Sequence, residues 1–430
     1  MAQLNFVAQL NFDRRRFLAG TASVVATVAS SNLYGFTTQD QKVLDPDSDQ
    51  FSPDTLFLTW QRDPTTTMTI QWLGRETNAD QAIRYSKLAG TESASAATIT
   101  KPYLNTDLKV FRCELSGLLP GNEYQFQIGK SFPSYRFRTM PSKITDEFQF
   151  VSGGDSGVDE HAIATNRLAA LQNPNFVLMA GDLAYDNGTA PEVFTQYLRN
   201  YSTAMYDAEH RMIPMITCIG NHEVVGGYQA TRDKSPQYLS LFDGLFAERT
   251  FNTLDFGDYL SLVLLDTDHI APIEGEQTDW LSKTLGDRQD YPHLLVANHV
   301  PAYPSYRPPQ GQNGKTGTGE LQRKFWAPLF EKFRVDGVLE HHDHTFKRTH
   351  PLTDGLRDRN GVVYLGDGSW GKLRVPKTPE ERPYLAKVAQ AYHMTVHSLQ
   401  GENRFHVAMT DDGRIADVYG TYQKRPSRRG

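Results

Sequence analysis

The chain has 430 residues, of which 39% are hydrophobic and 22% are charged, and its formal net charge is −6. This composition is typical of a soluble globular protein with room for two or three domains, and it argues against a disordered chain. The negative net charge provides no basic field for nucleic acid, so we expect no nucleic-acid partner. Cys113 and Cys218 lie far apart in apolar segments, and we expect both to be buried free thiols.

Residues 1–35 have the features of an export signal. Arg14 and Arg15 are followed by Phe17, Leu18 and a weakly apolar run that ends in small residues. This run is too short and too weakly apolar to span a bilayer stably. The pattern resembles a twin-arginine signal, which implies the twin-arginine translocase as a transient partner and a periplasmic or secreted location. The alternative is a disordered basic N-terminus.

An all-β domain is predicted over residues 54–141, after a polar linker at residues 36–53. Short segments rich in Thr, Tyr, Phe, Val and Ile alternate there with turn residues, which is typical of a β-sandwich. Tyr124, at the end of "LLPGNEY", occupies the position of a tyrosine corner, and Trp72 occupies that of a core tryptophan. This region resembles a fibronectin type III domain, and we expect both aromatic side chains to lie in its core.

The sequence pattern changes at residue 145, from which nearly continuous apolar strands alternate with helical segments up to residue 425. Such strands are covered on both faces, so residues 145–425 predict an α/β domain. Polar residues follow the strand ends, where open α/β sheets place their ligand sites. In chain order these residues are Asp155, Asp182, Tyr185, Asn221, His222, Glu223, His299, His342 and His344.

These strand-end residues provide the ligands of a two-metal centre, in which the ions lie roughly 3.5–4 Å apart. Asp182 is central in the set and can offer one oxygen to each ion, so we expect it to bridge them. Carboxylate and phenolate oxygens suit trivalent iron, and Tyr185 is ionised near neutral pH only beside a strong cation. Asn221 and the imidazoles suit a divalent ion. Such a centre stays cationic and suits a phosphate ester.

The segment "LEHHDHTFKRTHP", residues 339–351, contains four of the 13 histidines of the chain. In an extended segment, residues two apart face the same side. We therefore expect His342 and His344 to reach one centre together. On the same argument His341 faces away and His350 lies beyond a turn, so both are expected in supporting or surface positions.

The series GD-x-G, GD-x-x-Y, GNHE, a strand-end histidine and H-x-H resembles the purple acid phosphatases of the metallophosphoesterase superfamily. The resemblance runs from about residue 54 to the C-terminus and implies a catalytic domain of two packed mixed β-sheets flanked by helices. It also implies a centre of Fe(III) and a divalent zinc, iron or manganese ion. The implied Fe(III) ligands are Asp155, Tyr185 and His344, the divalent-ion ligands are Asn221, His299 and His342, and the bridge is Asp182.

The function expected from this resemblance is hydrolysis of phosphate monoesters by in-line attack of a metal-bound hydroxide. His222 would protonate the leaving group or hold the phosphate, and Glu223 would orient or tune His222. The chain departs from the family pattern at His341, where glycine is usual, and at residues 346–348, where Tyr-Glu-Arg is usual. "SYRPPQGQN" lacks the extra histidines of plant members, which leaves the substrate open. A phosphodiesterase or nucleotide hydrolase, or a non-catalytic surface binding protein, are the alternatives.

Export is testable through the arginine pair. We expect the double substitution Arg14→Lys and Arg15→Lys to leave the protein in the cytoplasm, because the weakly apolar segment would then lack its recognition motif. Cell fractionation followed by immunoblotting measures the distribution, and Arg16→Lys, beside the pair, is the matched control. Unchanged export of the double variant would contradict the prediction.

Overall fold

The computed structural model describes residues 53–76, 79–130, 133–144 and 148–422. The predicted export signal and almost all of the predicted linker lie outside these described residues. Among the described residues, no helix combines the length and the apolar character that a membrane crossing requires.

The N-terminal region is a β-sandwich. Its strands are β1 (Phe57–Thr59), β2 (Met68–Gly74), β3 (Ile83–Lys87), β4 (Ser93–Ala96), β5 (Ile99–Pro102), β6 (Lys109–Leu115), β7 (Glu123–Ile128) and β8 (Tyr135–Arg138). They form two antiparallel four-stranded sheets with the orders β1-β2-β6-β5 and β4-β3-β7-β8. Alternate residues of β7 are buried, as expected for a strand with one face on the core.

The predicted core aromatic residues are confirmed. Trp72 is fully buried and stacks on Phe111, with ring centroids 5.3 Å apart. The Tyr124 hydroxyl accepts a 2.8 Å hydrogen bond from the backbone N–H of Leu119, which is the contact that defines a tyrosine corner. The two cysteines are also buried free thiols, as expected. The likeness to fibronectin type III itself stays a prediction.

The C-terminal region combines mixed sheets with helices. Its strands are β9 (Gln149–Gly153), β10 (Val177–Ala180), β11 (Met215–Cys218), β12 (Asn252–Phe256), β13 (Leu260–Leu264), β14 (His293–Ala297), β15 (Gly337–Glu340), β16 (Phe346–Thr349), β17 (Leu352–Thr353), β18 (Leu356–Arg357), β19 (Tyr364–Asp367), β20 (Leu385–Ala389), β21 (His393–Gln400), β22 (Asn403–Thr410) and β23 (Ile415–Tyr422). Its α-helices are α1 (Glu160–Leu171), α2 (Pro191–Ala204), α3 (Pro236–Phe242), α4 (Thr278–Asp287), α5 (Glu320–Phe325) and α6 (Ala327–Lys332). Short 3₁₀ turns lie at Asn221–Glu223 and Arg232–Lys234.

The strands form a six-stranded sheet, β11-β10-β9-β21-β22-β23, and a seven-stranded sheet, β12-β13-β14-β15-β19-β16-β20, beside the small ribbon β17-β18. Parallel strands β9, β10 and β11 lie in the first sheet, and β13, β14, β15 and β19 are parallel in the second. Buried residues of both sheets form one continuous hydrophobic core. A second cluster of buried residues lies between the seven-stranded sheet and helices α4 and α6. The predicted fold, an all-β domain followed along the chain by an α/β domain with two mixed sheets, is confirmed.

The β-sandwich shares its core with the α/β domain. Trp60 makes edge contacts with Phe176 and Phe256, at centroid distances of 6.2 and 6.0 Å. Arg112, which is buried, donates 2.5 and 2.8 Å hydrogen bonds to the Asp243 carboxylate and the Leu241 carbonyl. The sandwich therefore supports the C-terminal end of helix α3.

Candidate metal centre

The predicted ligands lie in strand-end turns with an unusual backbone. Asp155, Asp182, Tyr185, His342 and His344 all have positive φ, between 53° and 74°. The left-handed region costs a non-glycine residue roughly 1–2 kcal/mol, and such strain tends to concentrate at functional sites. The expectation that the histidine segment is extended is wrong, because His342 and His344 each turn the chain there. Both rings nevertheless point to the same cluster.

One half of the cluster contains Asp155, Tyr185 and His344. Asp155 Oδ1 accepts a 3.2 Å hydrogen bond from the Tyr185 hydroxyl and lies 3.0 Å from His344 Nε2. The Tyr185 hydroxyl oxygen is also 3.0 Å from His344 Nε2. Three potential ligand atoms of the predicted Fe(III) site thus lie within hydrogen-bonding distance of one another.

The other half of the cluster contains Asn221, His299 and His342. His299 Nε2 lies 3.2 Å from Asn221 Oδ1 and 3.1 Å from His342 Nδ1. It also lies 3.2 Å from Asp182 Oδ2. Asp155, by its Oδ2, accepts a 2.7 Å hydrogen bond from the His342 backbone N–H and so connects the two halves. The structure therefore brings all seven predicted ligands together.

This donor set fits metal ions. Asp155, Asp182, His299 and His342 are buried, and each offers a ligand atom within 4.8 Å of the others. Asp182 Oδ2 is buried without a well-aligned hydrogen bond, which is costly for a carboxylate unless a cation satisfies it. Burial lowers the pKa of His299, but the charges of Asp182 and Asp155 outweigh it and raise the pKa to about 9. The cluster therefore has an excess of negative charge that cations would neutralise.

Tyr185 depends on such a cation for its predicted role. Burial and the charges of Asp155 and Asp182 raise the pKa of its phenol well above 10. The Lys372 ammonium lies 5.0 Å above the Tyr185 ring and also pairs with Asp159 at 2.8 Å. Without a metal ion the hydroxyl stays protonated, and its conversion to phenolate requires the strong positive charge of a bound ion.

His222 lies at the open edge of the cluster. Its side chain is 34% exposed, and its ring packs 4.3 Å from that of Tyr185. Nδ1 lies 2.5 Å from Asn187 Oδ1, and Nε2 lies 3.8 Å from Asp182 Oδ2. Burial lowers the pKa of the imidazole. Because the Asn187 amide oxygen can only accept a hydrogen bond from Nδ1–H, Nε2 is the nitrogen left to face a ligand.

Glu223 contacts backbone rather than the His222 ring. Its carboxylate accepts hydrogen bonds of 2.7–2.8 Å from the N–H groups of Gly220, Asp182 and Leu183. Burial, followed by the charge of Asp182, raises the pKa of Glu223 to about 8. Glu223 therefore does not orient the His222 imidazole, as was expected, but holds the turn that carries Asp182.

The remaining histidines of the segment support the cluster or lie outside it. His341 is buried, and its Nδ1 lies 3.0 Å from the Asn298 carbonyl. Its ring fills the space beside Gly154, where an added Cβ would come within 2.9 Å of it. His350 is partly exposed and is linked to Tyr384 through its backbone N–H.

Two side chains that no sequence motif singles out hold His342 in place. The Tyr228 hydroxyl lies 3.3 Å from His342 Nε2. Arg307 donates a 2.5 Å hydrogen bond to the His342 carbonyl and a 2.9 Å one to Asp343. Arg307 lies in the "SYRPPQGQN" segment noted above only for its lack of histidine. Neither contact has a spacing signal in the sequence, because each joins segments that are distant along the chain.

Comparison with known proteins agrees with this architecture. The family model "Purple acid Phosphatase, N-terminal domain" matches residues 53–146, and the model "Calcineurin-like phosphoesterase" matches residues 154–346. Purple acid phosphatase 22 of Arabidopsis thaliana is 23% identical over 70% of this chain and 69% of its own length. Acid phosphatase type 7 of Mus musculus is 23% identical over 85% of this chain and 90% of its own.

Two solved structures have a similar fold. The purple acid phosphatase PPD1 from yellow lupin (Lupinus luteus) seeds has a TM-score of 0.69 at 17% identity, over 85% of this chain and 73% of that one. PhoD has a TM-score of 0.63 at 11% identity, over 89% of this chain and 92% of that one. At sequence identities of 17% and 11%, these similarities establish a similar fold only.

The histidine segment yields a prediction. His342→Ala and His344→Ala should each reduce the metal content, because each removes a potential ligand atom from the cluster. His341→Ala should keep the metal content and lower the free energy of unfolding by about 1–3 kcal/mol, through a lost hydrogen bond and a cavity. Elemental analysis and denaturant unfolding measure these effects, with His350→Ala as the matched control. Metal loss from His341→Ala equal to that from His342→Ala would show that the assignment is wrong.

Proposed function

This chain belongs to the purple acid phosphatase family of metallophosphoesterases and is an acid phosphatase, and we propose that it hydrolyses phosphate monoesters at an Fe(III)–divalent metal centre. The observation that carries the proposal is the convergence of carboxylate, phenol, amide and imidazole groups around Asp182 Oδ2, which is buried without a well-aligned hydrogen bond. The divalent ion would be zinc, iron or manganese. The small phosphate ester is the partner that the cationic centre would attract.

The ligand assignment follows the two halves of the cluster. Fe(III) would be held by Asp155, Tyr185 and His344, the divalent ion by Asn221, His299 and His342, and both by Asp182. When bound, the two ions would supply Lewis acidity and an activated water for in-line displacement at phosphorus.

The surrounding side chains would orient the substrate and move the proton. His222, at the exposed edge of the cluster, would present Nε2 to the phosphate or to the leaving oxygen, while Asn187 fixes the orientation of its ring. Glu223 would keep Asp182 in its strained turn through three backbone hydrogen bonds. Lys372, beside Tyr185, would add positive charge near the bound phosphate.

We also propose export through the twin-arginine translocase to the periplasm or to the medium. The support is the arginine pair in residues 1–35. This route exports folded proteins, which suits a protein that buries metal ligands in its core and has two free thiols.

The substrate class is tested with a matched pair of esters. We expect purified protein of measured metal content to hydrolyse p-nitrophenyl phosphate with a kcat/KM about tenfold or more above that for bis(p-nitrophenyl) phosphate. Asp182→Asn, which removes a charge and keeps the shape, should lose activity on both esters. Preference for the diester would support a phosphodiesterase, and absence of turnover by the fully metallated protein would support a binding protein.

Tyr185 gives a spectroscopic prediction. A phenolate on Fe(III) produces a visible charge-transfer band, so the protein should be purple or pink. Tyr185→Phe should abolish the colour and change stability little, because the apolar ring is retained. Activity should fall less than in Asp182→Asn, since a terminal ligand holds one ion and the bridge holds two. A colourless, fully active wild-type enzyme with two zinc or manganese ions would refute the iron assignment.

A further inference from the structure

A cleft of about 430 Å³ opens beside His342. One wall is formed by Tyr228 and Gln229, in the loop that follows the 3₁₀ turn at the metal centre. A second wall is formed by Thr267 and Asp268 after β13, and a third by residues 316–322 around the start of helix α5. The cleft therefore begins at a predicted metal ligand and extends away from the cluster.

The charge of this cleft is negative. Its lining contains two carboxylates, those of Asp268 and Glu320, and neither lysine nor arginine. The other titratable side chains in the lining are the Tyr228 phenol and the His342 imidazole. Asp268 Oδ2 accepts a 3.0 Å hydrogen bond from Gln229, and Glu320 Oε2 accepts one of 2.7 Å from the Gly317 backbone. These single contacts use one oxygen of each carboxylate.

Tyr228 connects the cleft to the metal centre. Its hydroxyl lies 3.3 Å from His342 Nε2, while Nδ1 of the same ring faces the cluster. If Nδ1 binds the divalent ion, Nε2 carries the proton and donates it to the Tyr228 oxygen. The tyrosine hydroxyl then keeps its own proton to donate to a ligand. Tyr228 as a residue is 43% exposed, and its ring provides an aromatic face.

The opposite flank of the cluster has positive charge. Lys372 lies over the Tyr185 ring, and Arg374 donates its backbone N–H to the His344 carbonyl and stacks on Tyr306 at 5.0 Å. Anionic phosphate is favoured on the flank with Tyr185 and His344. The flank with His342 has one cation, Arg307, which is paired with Asp343. The carboxylates of the cleft therefore disfavour a second anion on this flank.

We propose that this cleft binds the alcohol portion of the phosphate monoester and selects neutral or cationic alcohols, such as polyols and amino alcohols, over anionic ones. The proposal rests on the monoesterase function proposed above. Asp268 and Glu320 attract ammonium and hydroxyl donors, and Tyr228 contributes a hydroxyl and a ring that can hold a cation. The same carboxylates repel carboxylate- or phosphate-bearing alcohols, so polyphosphates are poor substrates.

Three small esters that differ mainly in the charge of the alcohol test this selection: phosphoethanolamine, 2-hydroxyethyl phosphate and phosphoglycolate. We expect kcat/KM to fall in that order for the metallated full-length protein. In Asp268→Asn and in Glu320→Gln, the ratio of kcat/KM for phosphoethanolamine to that for phosphoglycolate should drop by about threefold to tenfold, as expected for the loss of one solvent-accessible charge several ångströms away. The drop should shrink at high salt.

The matched control is Asp287→Asn, which removes one exposed carboxylate from helix α4 away from the cleft lining. It should leave the ratio unchanged. Equal ratios in wild type, Asp268→Asn and Glu320→Gln would overturn the cleft assignment, even if all three hydrolyse p-nitrophenyl phosphate and so uphold the monoesterase function.

A binding measurement is independent of turnover. Choline carries a positive charge and has no phosphate group that would bind to the metal ions. Calorimetric titration with choline therefore reports on the cleft. We expect choline binding to weaken in Asp268→Asn and in Tyr228→Ala and to be unchanged in Asp287→Asn. If the wild type does not bind choline, or if binding is insensitive to these substitutions, the cleft proposal is wrong. If the protein binds choline but does not hydrolyse phosphate esters, the proposed monoesterase function is wrong and the cleft proposal is not.

Discussion

The site depends on a buried carboxylate that fixes the ends of two parallel strands. Glu223 accepts the backbone N–H groups of Asp182 and Leu183 after β10 and of Gly220 after β11. In return, Asp182 Oδ1 accepts a 2.8 Å hydrogen bond from the His222 backbone. A Cβ at Gly220 would lie 2.5 Å from the Asp182 nitrogen, so the turns can approach this closely only with glycine there. These reciprocal hydrogen bonds leave Asp182 Oδ2 facing the cluster, 3.2 Å from His299 Nε2 and without a well-aligned hydrogen bond.

The β-sandwich supports the same region from outside. Arg112 of the sandwich binds the Leu241 carbonyl and Asp243 at the end of helix α3. At the beginning of that helix, the Ser235 hydroxyl donates a 2.9 Å hydrogen bond to the Glu223 carbonyl. The helix therefore links the sandwich to the GNHE turn and to the loop that carries Tyr228. Through this connection the N-terminal domain supports the turn and the loop that carry the candidate metal ligand Asn221 and the cleft residue Tyr228.

The candidate ligands could be identified from the sequence, but their geometry could not. Strand-end residues such as Asp155, Asp182 and His299 were predictable because apolar strands in an α/β sheet stop where a ligand site begins. His342 and His344 were assigned correctly to one cluster by an argument from extended backbone that is wrong, since two left-handed residues orient the rings. Glu223 was identified by its motif, but its contacts follow from the close approach of two turns, which local pattern does not show. Tyr228 and Asp268 belong to separate segments, and only the fold brings them to the same cleft.

We propose that one bridging carboxylate, that of Asp182, organises a centre of two unlike ions. Elemental analysis of the purified wild-type protein, combined with the same analysis of Asp182→Asn, tests this most directly. We expect two metal ions per wild-type chain, one of them iron, and a substantial loss of both ions in the variant, because each would lose a shared ligand. One ion per wild-type chain, or full retention of two ions by Asp182→Asn, would contradict the proposal.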